Sequence, residues 1–129
     1  MSKNILVVDD EPEIALLVAS RLRTAGYQVQ VAKDGEQALR LVTITKPDLI
    51  VLDVALPGMS GGDVCAHLQK DEKTKYIPII FLTALKTKED DVRLGFDIGR
   101  HTIFAKPFNP QEFLGAVRDA LAAQKASKS

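Results

Sequence analysis

Five polar residues of this 129-residue chain stand at the ends of short, mostly apolar runs: Asp9, Asp10, Asp53, Thr83 and Lys106. Three carboxylates that lie close together repel one another, so at neutral pH such a cluster needs a cation or a raised pKa. Because the ligands are oxygens, with no His or Cys nearby, they favour a hard ion such as Mg²⁺. A lysine and a hydroxyl facing a metal-bound carboxylate suit a phosphoryl group, whose three oxygens carry negative charge. A carboxylate can itself accept that group as an acyl phosphate, so the pattern indicates phosphoryl transfer onto Asp53.

A parallel sheet would bring these residues together, because the carboxyl ends of parallel strands lie along one edge. Residues 49–52 are four consecutive apolar residues, which is typical of a strand buried on both faces. Further strands are predicted at 5–8, 27–32, 77–82 and 102–105. Strands and helices alternate five times, which predicts a single doubly wound (βα)5 domain of the α/β class with a parallel sheet.

Five helical stretches are predicted after these strands. The first begins at Pro12, with Asp10 and Glu13 at capping-box spacing, and stops at Gly26. Its inward face is predicted to comprise Ile14, Leu17, Val18, Leu22 and Ala25. The other four are expected to begin at Asp34–Gly35, about Gly62, Thr87 and Asn109. The stretch at 87–98 is only weakly amphipathic, which indicates a loosely held element.

Composition places the chain among soluble globular proteins. Seventeen basic and seventeen acidic residues cancel, so nothing indicates a surface for nucleic acid or for membrane anchoring. The one cysteine, Cys65, excludes an intramolecular disulfide and a cysteine-built zinc site, and its position predicts a small core residue. The apolar run before Asp9 is too short for a signal peptide or a membrane span. We therefore expect a cytoplasmic protein.

Four segments of the chain resemble the receiver domain of bacterial two-component response regulators. They are ILVVDDEPEI at 5–14, PDLIVLDVALPGMSG at 47–61, PIIFLTA at 78–84 and KPF at 106–108. Each alone is weakly informative, but together, in this order and at these spacings, they are highly specific. The resemblance covers nearly the whole chain and implies a flavodoxin-like fold with strand order 2-1-3-4-5. We expect a receiver domain at 1–123, followed by a tail at 124–129 whose polar residues predict fraying.

The resemblance also implies a role for each matching residue. Asp53 is the phosphoacceptor. The Mg²⁺ ligands are Asp10 directly, Asp9 largely through water, Asp53, and the backbone carbonyl of Ala55. Thr83 and Lys106 contact phosphoryl oxygens, and the peptide bond before Pro107 is cis. The donor is a phosphohistidine on a sensor histidine kinase or histidine phosphotransfer protein, or a small acyl phosphate.

The chain departs from the family pattern at a position that matters for signal read-out. Many receivers carry Tyr or Phe three residues before the lysine, and here that residue is Ile103. Phe104 is adjacent, but neighbours on a strand face opposite sides, so it cannot substitute. The signal is then expected to run through the loop after Thr83 and the helix at 87–98. Resemblance also assigns the tuning of phosphoryl loss to Ala55 and Leu85, without a direction.

The resulting hypothesis is a signalling switch that catalyses only its own phosphorylation and dephosphorylation, not an enzyme acting on outside substrates. Its expected partners are the kinase or phosphotransfer protein and a downstream protein or output domain, with no direct nucleic-acid or membrane binding and possible homodimerisation on phosphorylation. The chain is either a stand-alone receiver or part of a longer regulator. The main alternative is a phosphorylation-independent receiver used for docking. A Mg²⁺-dependent phosphohydrolase would need an acid at Ala55, and a flavodoxin-like redox protein would need a hydroxyl-rich loop at 9–11.

Overall fold

The computed structural model describes residues 3–83, 102–105 and 108–128. In chain order its elements are β1 (Asn4–Val8), α1 (Pro12–Thr24), β2 (Gln28–Ala32), α2 (Gly35–Thr45), β3 (Leu49–Asp53), α3 (Gly61–Lys70), β4 (Ile79–Thr83), β5 (Thr102–Ala105) and α4 (Pro110–Lys128). All five predicted strands are confirmed, with bounds that shift by at most two residues. The helix predicted at 87–98 lies outside the described residues.

The five strands form one parallel sheet in the order β2-β1-β3-β4-β5, which confirms the predicted fold class and topology. Every residue of the central strand β3 is buried, as its apolar run predicts. The register places Asp53 beside Leu82 on β4, and Thr83 beside Ala105 on β5. The carboxyl ends of these strands therefore lie along one edge of the sheet.

Helices cover both faces of the sheet and bury two separate cores. One core packs α2 and α3 against strand residues such as Leu6 and Val8, and the other packs α1 and α4 against their neighbours Ile5 and Val7. This alternation follows from the pleat, which sends successive side chains to opposite faces. Cys65 lies in the first core as predicted, and burial raises the pKa of its thiol.

The inward face of α1 differs from the prediction. The buried residues are Ala15, Val18, Ala19 and Leu22, spaced as one stripe of a helix. Leu17 is 46% exposed and Ala25 is also exposed, so their predicted places in the core are wrong. Two of these four buried residues are alanines, which a pattern of large apolar side chains does not single out.

The beginning of α1 also differs. Glu11 is the N-cap residue and makes no side-chain cap hydrogen bond, so the capping box predicted for Asp10 and Glu13 is wrong. Instead, the Glu11 backbone N–H donates to Oδ1 of Asp9 at 2.9 Å. The first turn of α1 is therefore tied to a carboxylate at the end of β1.

The remaining helix ends follow local sequence signals. Gly26, with φ of +100°, follows α1, and the side chain of Asp34 caps α2 as predicted. Asn109 Oδ1 accepts hydrogen bonds from two backbone N–H groups at the start of α4. That helix continues to Lys128, so the stretch predicted to fray after residue 123 is helical, and a domain boundary there stays a prediction.

Within the described segments, none of the helices has the length and apolar character needed to cross a membrane.

Candidate functional site

The site is organised around Asp53, the last residue of β3. Its side chain is only 3% exposed, although β3 ends at the edge of the sheet. The Ala55 backbone N–H donates to Asp53 Oδ1 at 3.0 Å and so fixes the orientation of the carboxylate. The turn that follows β3 thus presents the carboxylate at the position that the sequence predicted.

Asp9 is held at the end of β1 by the same device. It is also 3% exposed, and its Oδ1 accepts from the backbone N–H two residues later, at Glu11. Its own backbone N–H donates to the carbonyl of Ala32 at the end of β2, at 3.1 Å. Asp10 and Glu11 are exposed, so the site has two buried carboxylates and two that face solvent.

Four carboxylates converge on this edge of the sheet. One ligand oxygen from each of Asp9, Asp10, Glu11 and Asp53 lies within 4.8 Å of the others. Two unit charges 4 Å apart repel by about 1 kcal/mol in water and by about 4 kcal/mol at the effective dielectric constant near a protein surface. The arrangement therefore favours positive charge at this edge of the sheet.

The donor set suits a magnesium ion. All four groups offer oxygen, which hard divalent cations prefer. Ligands on opposite sides of octahedral Mg²⁺ are about 4 Å apart, because each bond is about 2.1 Å long, and no two of the clustered oxygens are more than 4.8 Å apart. The structure thus brings together the three predicted acidic residues and adds Glu11. The signal for Glu11 in the sequence is its place directly after Asp9 and Asp10, at the end of the first strand.

A short, well-bonded turn connects Asp53 to α3. Val54 donates its backbone N–H to the carbonyl of Leu82 at 3.3 Å, and the carbonyl of Val54 accepts from Gly61 at 3.0 Å. Ser60 and Asp63 form a capping box that starts α3 one residue earlier than predicted. Ala55, the predicted source of a backbone carbonyl ligand, is exposed within this turn.

The structure describes only the backbone of one predicted site residue, Thr83, and does not describe a second, Lys106. The backbone of Thr83 ends β4, on the strand next to Asp53 and at the same edge of the sheet. Its hydroxyl lies outside the described residues, as do Lys106 and the peptide bond before Pro107. Their predicted roles stay predictions.

The residues before Lys106 confirm one expectation about read-out. Ile103 packs against the core formed with α2 and α3, whereas Phe104 packs on the opposite face with α4. The rings of Phe104 and Phe113 meet edge to face, with centroids 6.0 Å apart and planes at 80°. Phe104 therefore belongs to the core beneath α4 and cannot replace an aromatic residue at position 103.

Comparisons with known proteins agree with this arrangement. The family model of the response regulator receiver domain matches residues 5–118. The chain is 44% identical over 117 residues to the DNA-binding dual master transcriptional regulator RpaA of Synechocystis, covering 91% of this chain and 48% of that protein. It is 45% identical over 121 residues to the alkaline phosphatase synthesis transcriptional regulatory protein PhoP of Bacillus subtilis, covering 94% and 49%.

A solved structure shows the same fold in a receiver domain that belongs to a histidine kinase. The receiver domain of a signal transduction histidine kinase from Syntrophus aciditrophicus superposes with a TM-score of 0.86 at 31% identity, covering 95% of this chain and 92% of that one. The curated relatives are about twice as long as this chain, which spans about half of each. The matched residues include the acidic cluster and every strand of the sheet. The chain belongs to the response regulator receiver domain family.

Proposed function

We propose that this domain is a phosphorylation-dependent signalling switch whose acceptor is Asp53. The observation that carries the proposal is the convergence of a buried Asp53 with three further carboxylates, with one oxygen from each within 4.8 Å. Carboxylates this close together repel one another, so their convergence at the ends of two strands indicates a functional site. A domain used only for docking would not need it.

Asp53 acts as the nucleophile in this proposal. One carboxylate oxygen forms a bond to phosphorus while the bond from phosphorus to the donor breaks, and the donor keeps that electron pair. The donor is a phosphohistidine on a histidine kinase or phosphotransfer protein, or a small acyl phosphate. The hydrogen bond from the Ala55 N–H holds the carboxylate in one orientation before the donor arrives. The product is an acyl phosphate on the domain itself.

Asp10 and Asp53 would hold Mg²⁺ directly, with the backbone carbonyl of Ala55, and Asp9 would hold it largely through water. When bound, the ion supplies positive charge that offsets the carboxylates and the incoming phosphoryl oxygens. The exposed carboxylate of Asp10 leaves the site accessible from solvent. Thr83 and Lys106 would contact two other phosphoryl oxygens, and this part of the proposal rests on the family resemblance.

The switch would act on a partner or an attached output domain. RpaA is a DNA-binding regulator about twice the length of this chain, which is consistent with a receiver that controls a second domain. We propose that a histidine kinase or phosphotransfer protein is the partner on the input side, and that the domain itself does not contact nucleic acid, in keeping with its equal numbers of basic and acidic residues. Homodimerisation on phosphorylation is a further expectation of the family.

The test is the intact mass of the protein after incubation with acetyl phosphate and Mg²⁺. Wild type and Asp48→Asn should each gain one phosphoryl group, and Asp53→Asn should gain none. Asp48 is the matched control, because it carries the same carboxylate at the opposite end of β3. Uptake should disappear when Mg²⁺ is chelated.

Absence of an adduct would be followed by beryllofluoride, a non-covalent mimic of the phosphoryl group. Amide shifts on beryllofluoride addition would indicate a working pocket with rapid self-hydrolysis. No response in either experiment would overturn the switch and favour the docking alternative.

A further inference from the structure

Gly61 makes an unusually close approach to the acceptor strand. A Cβ built on this glycine would lie 2.5 Å from the carbonyl oxygen of Asp53, 2.8 Å from Cα of Val54 and 3.2 Å from the carbonyl carbon of Asp53. Real Cβ atoms essentially never come within 3.0 Å of another atom in this way. The φ of Gly61 lies outside the left-handed region, so space and not backbone conformation requires the glycine.

The atoms that crowd Gly61 belong to the backbone that orients the acceptor. Val54 lies between Asp53 and Ala55, whose N–H holds Asp53 Oδ1 at 3.0 Å. Gly61 also donates its own N–H to the carbonyl of Val54 at 3.0 Å. The start of α3 therefore rests directly on the turn that sets the direction of the carboxylate. Nothing in that contact is a flexible side chain that could move aside.

We propose that Gly61 is a positioning residue for phosphoryl transfer: its lack of a side chain lets α3 seat the Val54 peptide and thereby orient Asp53. This inference rests on the proposed function of Asp53. A side chain at position 61 must separate the two backbones by at least about 0.5 Å, the difference between the close approach and the closest real contact. Displacements of 0.5–1 Å at a reacting group reduce rates by roughly tenfold to a hundredfold.

The chain offers a closely matched control in Gly35. It is also buried, and it is also the first residue of a helix behind a side-chain N-cap. A Cβ added to Gly35 would be crowded too, but by side-chain atoms: Val64 Cγ2 at 2.9 Å and Met59 Cβ and Cγ at 3.0 and 3.1 Å. Gly115 provides the uncrowded case, with only the end of Arg118 within 4 Å. Gly35→Ala and Gly61→Ala therefore differ mainly in which atoms the new methyl group meets.

The experiment compares Gly61→Ala, Gly35→Ala and Gly115→Ala with wild type, under conditions in which circular dichroism shows each to be folded. Three quantities are measured: hydrogen exchange of the Ala55 amide in EDTA, the Mg²⁺ dissociation constant from an NMR titration, and the rate of phosphoryl uptake from acetyl phosphate. For Gly61→Ala we expect Ala55 exchange to be about tenfold faster, Mg²⁺ binding to be about tenfold weaker and uptake to be at least tenfold slower. Gly115→Ala should stay within about twofold of wild type. Gly35→Ala should change less than Gly61→Ala, because its methyl group meets the side chains of Val64 and Met59 and not the backbone of Asp53 and Val54.

Several outcomes would overturn the inference. In one, Gly61→Ala folds and matches Gly35→Ala in all three quantities. In another, both crowded variants show the same faster exchange, weaker Mg²⁺ binding and slower uptake, which would indicate general destabilisation. If Gly61→Ala does not fold, Ser60→Ala is used to loosen the start of α3, where Gly61 lies, because it removes the hydrogen bond from Asp63 N–H to Ser60 Oγ at 3.1 Å. That variant should accelerate Ala55 exchange severalfold, and unchanged exchange would refute the positioning role.

Failure of the proposed function would look different. Wild type would then take up no phosphoryl group, while Ala55 exchange in EDTA would still report whether Gly61 orients the turn.

Discussion

The two edges of the sheet use the same residue type in opposite ways. At the amino edge, just before β3, Asp48 Oδ2 accepts the backbone N–H of Asn4 at 2.8 Å, and Asp48 N–H donates to the Asn4 carbonyl at 2.7 Å. The Asn4 side chain then donates to the carbonyl of Thr45 at 2.9 Å. At the carboxyl edge, Asp53 ends the same strand but faces three other carboxylates. One edge joins chain segments, whereas the other concentrates negative charge.

This difference separates stabilising residues from functional ones. The Asp48 carboxylate accepts the backbone N–H of Asn4 on β1, so it contributes to the stability of the fold. Asp9 and Asp53 also accept hydrogen bonds from backbone N–H groups, and those bonds orient carboxylates that lie close to other carboxylates. A concentration of like charge at a sheet edge is characteristic of functional sites, where residues are not chosen for stability alone.

The largest predicted difference between the edges is the effect of Mg²⁺ on the free energy of unfolding of variants at each edge. A ligand that binds only the folded state, at one hundred times its dissociation constant, raises the free energy of unfolding by about 2.7 kcal/mol. We expect that increment for wild type and for Asp48→Asn, and loss of most of it for Asp10→Asn, because Asp10 is a proposed direct ligand. Urea unfolding with and without Mg²⁺ measures it. Equal increments in all three proteins would place the ion elsewhere.

The next prediction concerns the amino edge. Asp48→Ala should lower the free energy of unfolding by about 1–3 kcal/mol, because the Asn4 N–H loses its acceptor in a partly buried place. Asp48→Asn keeps an oxygen acceptor and should lose less. Urea unfolding in EDTA measures both, and neither loss should depend on Mg²⁺. If Mg²⁺ reversed the decrease in the free energy of unfolding, the two edges of the sheet would not be independent.

Much of the fold and part of the site could be predicted because their signals are local. Consecutive apolar residues indicate β3, and a carboxylate that closes such a run must lie at the carboxyl edge of a parallel sheet. The strand ends therefore predicted Asp9 and Asp53 together. The inward face of α1 was harder, because its buried stripe uses Ala15 and Ala19, which a search for large apolar residues passes over.

Other features depend on contacts between distant segments and leave no local trace. Asn4 and Asp48 are 44 positions apart, and neither residue is marked by its neighbours as one of a pair. The close approach of Gly61 to Asp53 and Val54 is likewise a property of how α3 docks on β3. In the sequence that glycine is only one member of a turn rich in Pro and Gly. The structure is what distinguishes a turn glycine from one on which the acceptor depends.

The smallest predicted effect is a gain in the free energy of unfolding that should occur at the carboxyl edge of the sheet and not at the amino edge. In EDTA, Asp10→Asn should raise the free energy of unfolding by about 1 kcal/mol, since it removes one exposed charge from a cluster of four. The same Asp→Asn change at position 48 should lower it or leave it unchanged. Thermal or urea unfolding measures both, and 1 M NaCl should reduce the Asp10 gain because the screening length falls to about 3 Å. A gain that persists in high salt would not arise from charge repulsion, and a loss would mean that Asp10 stabilises the metal-free fold through a contact of its own.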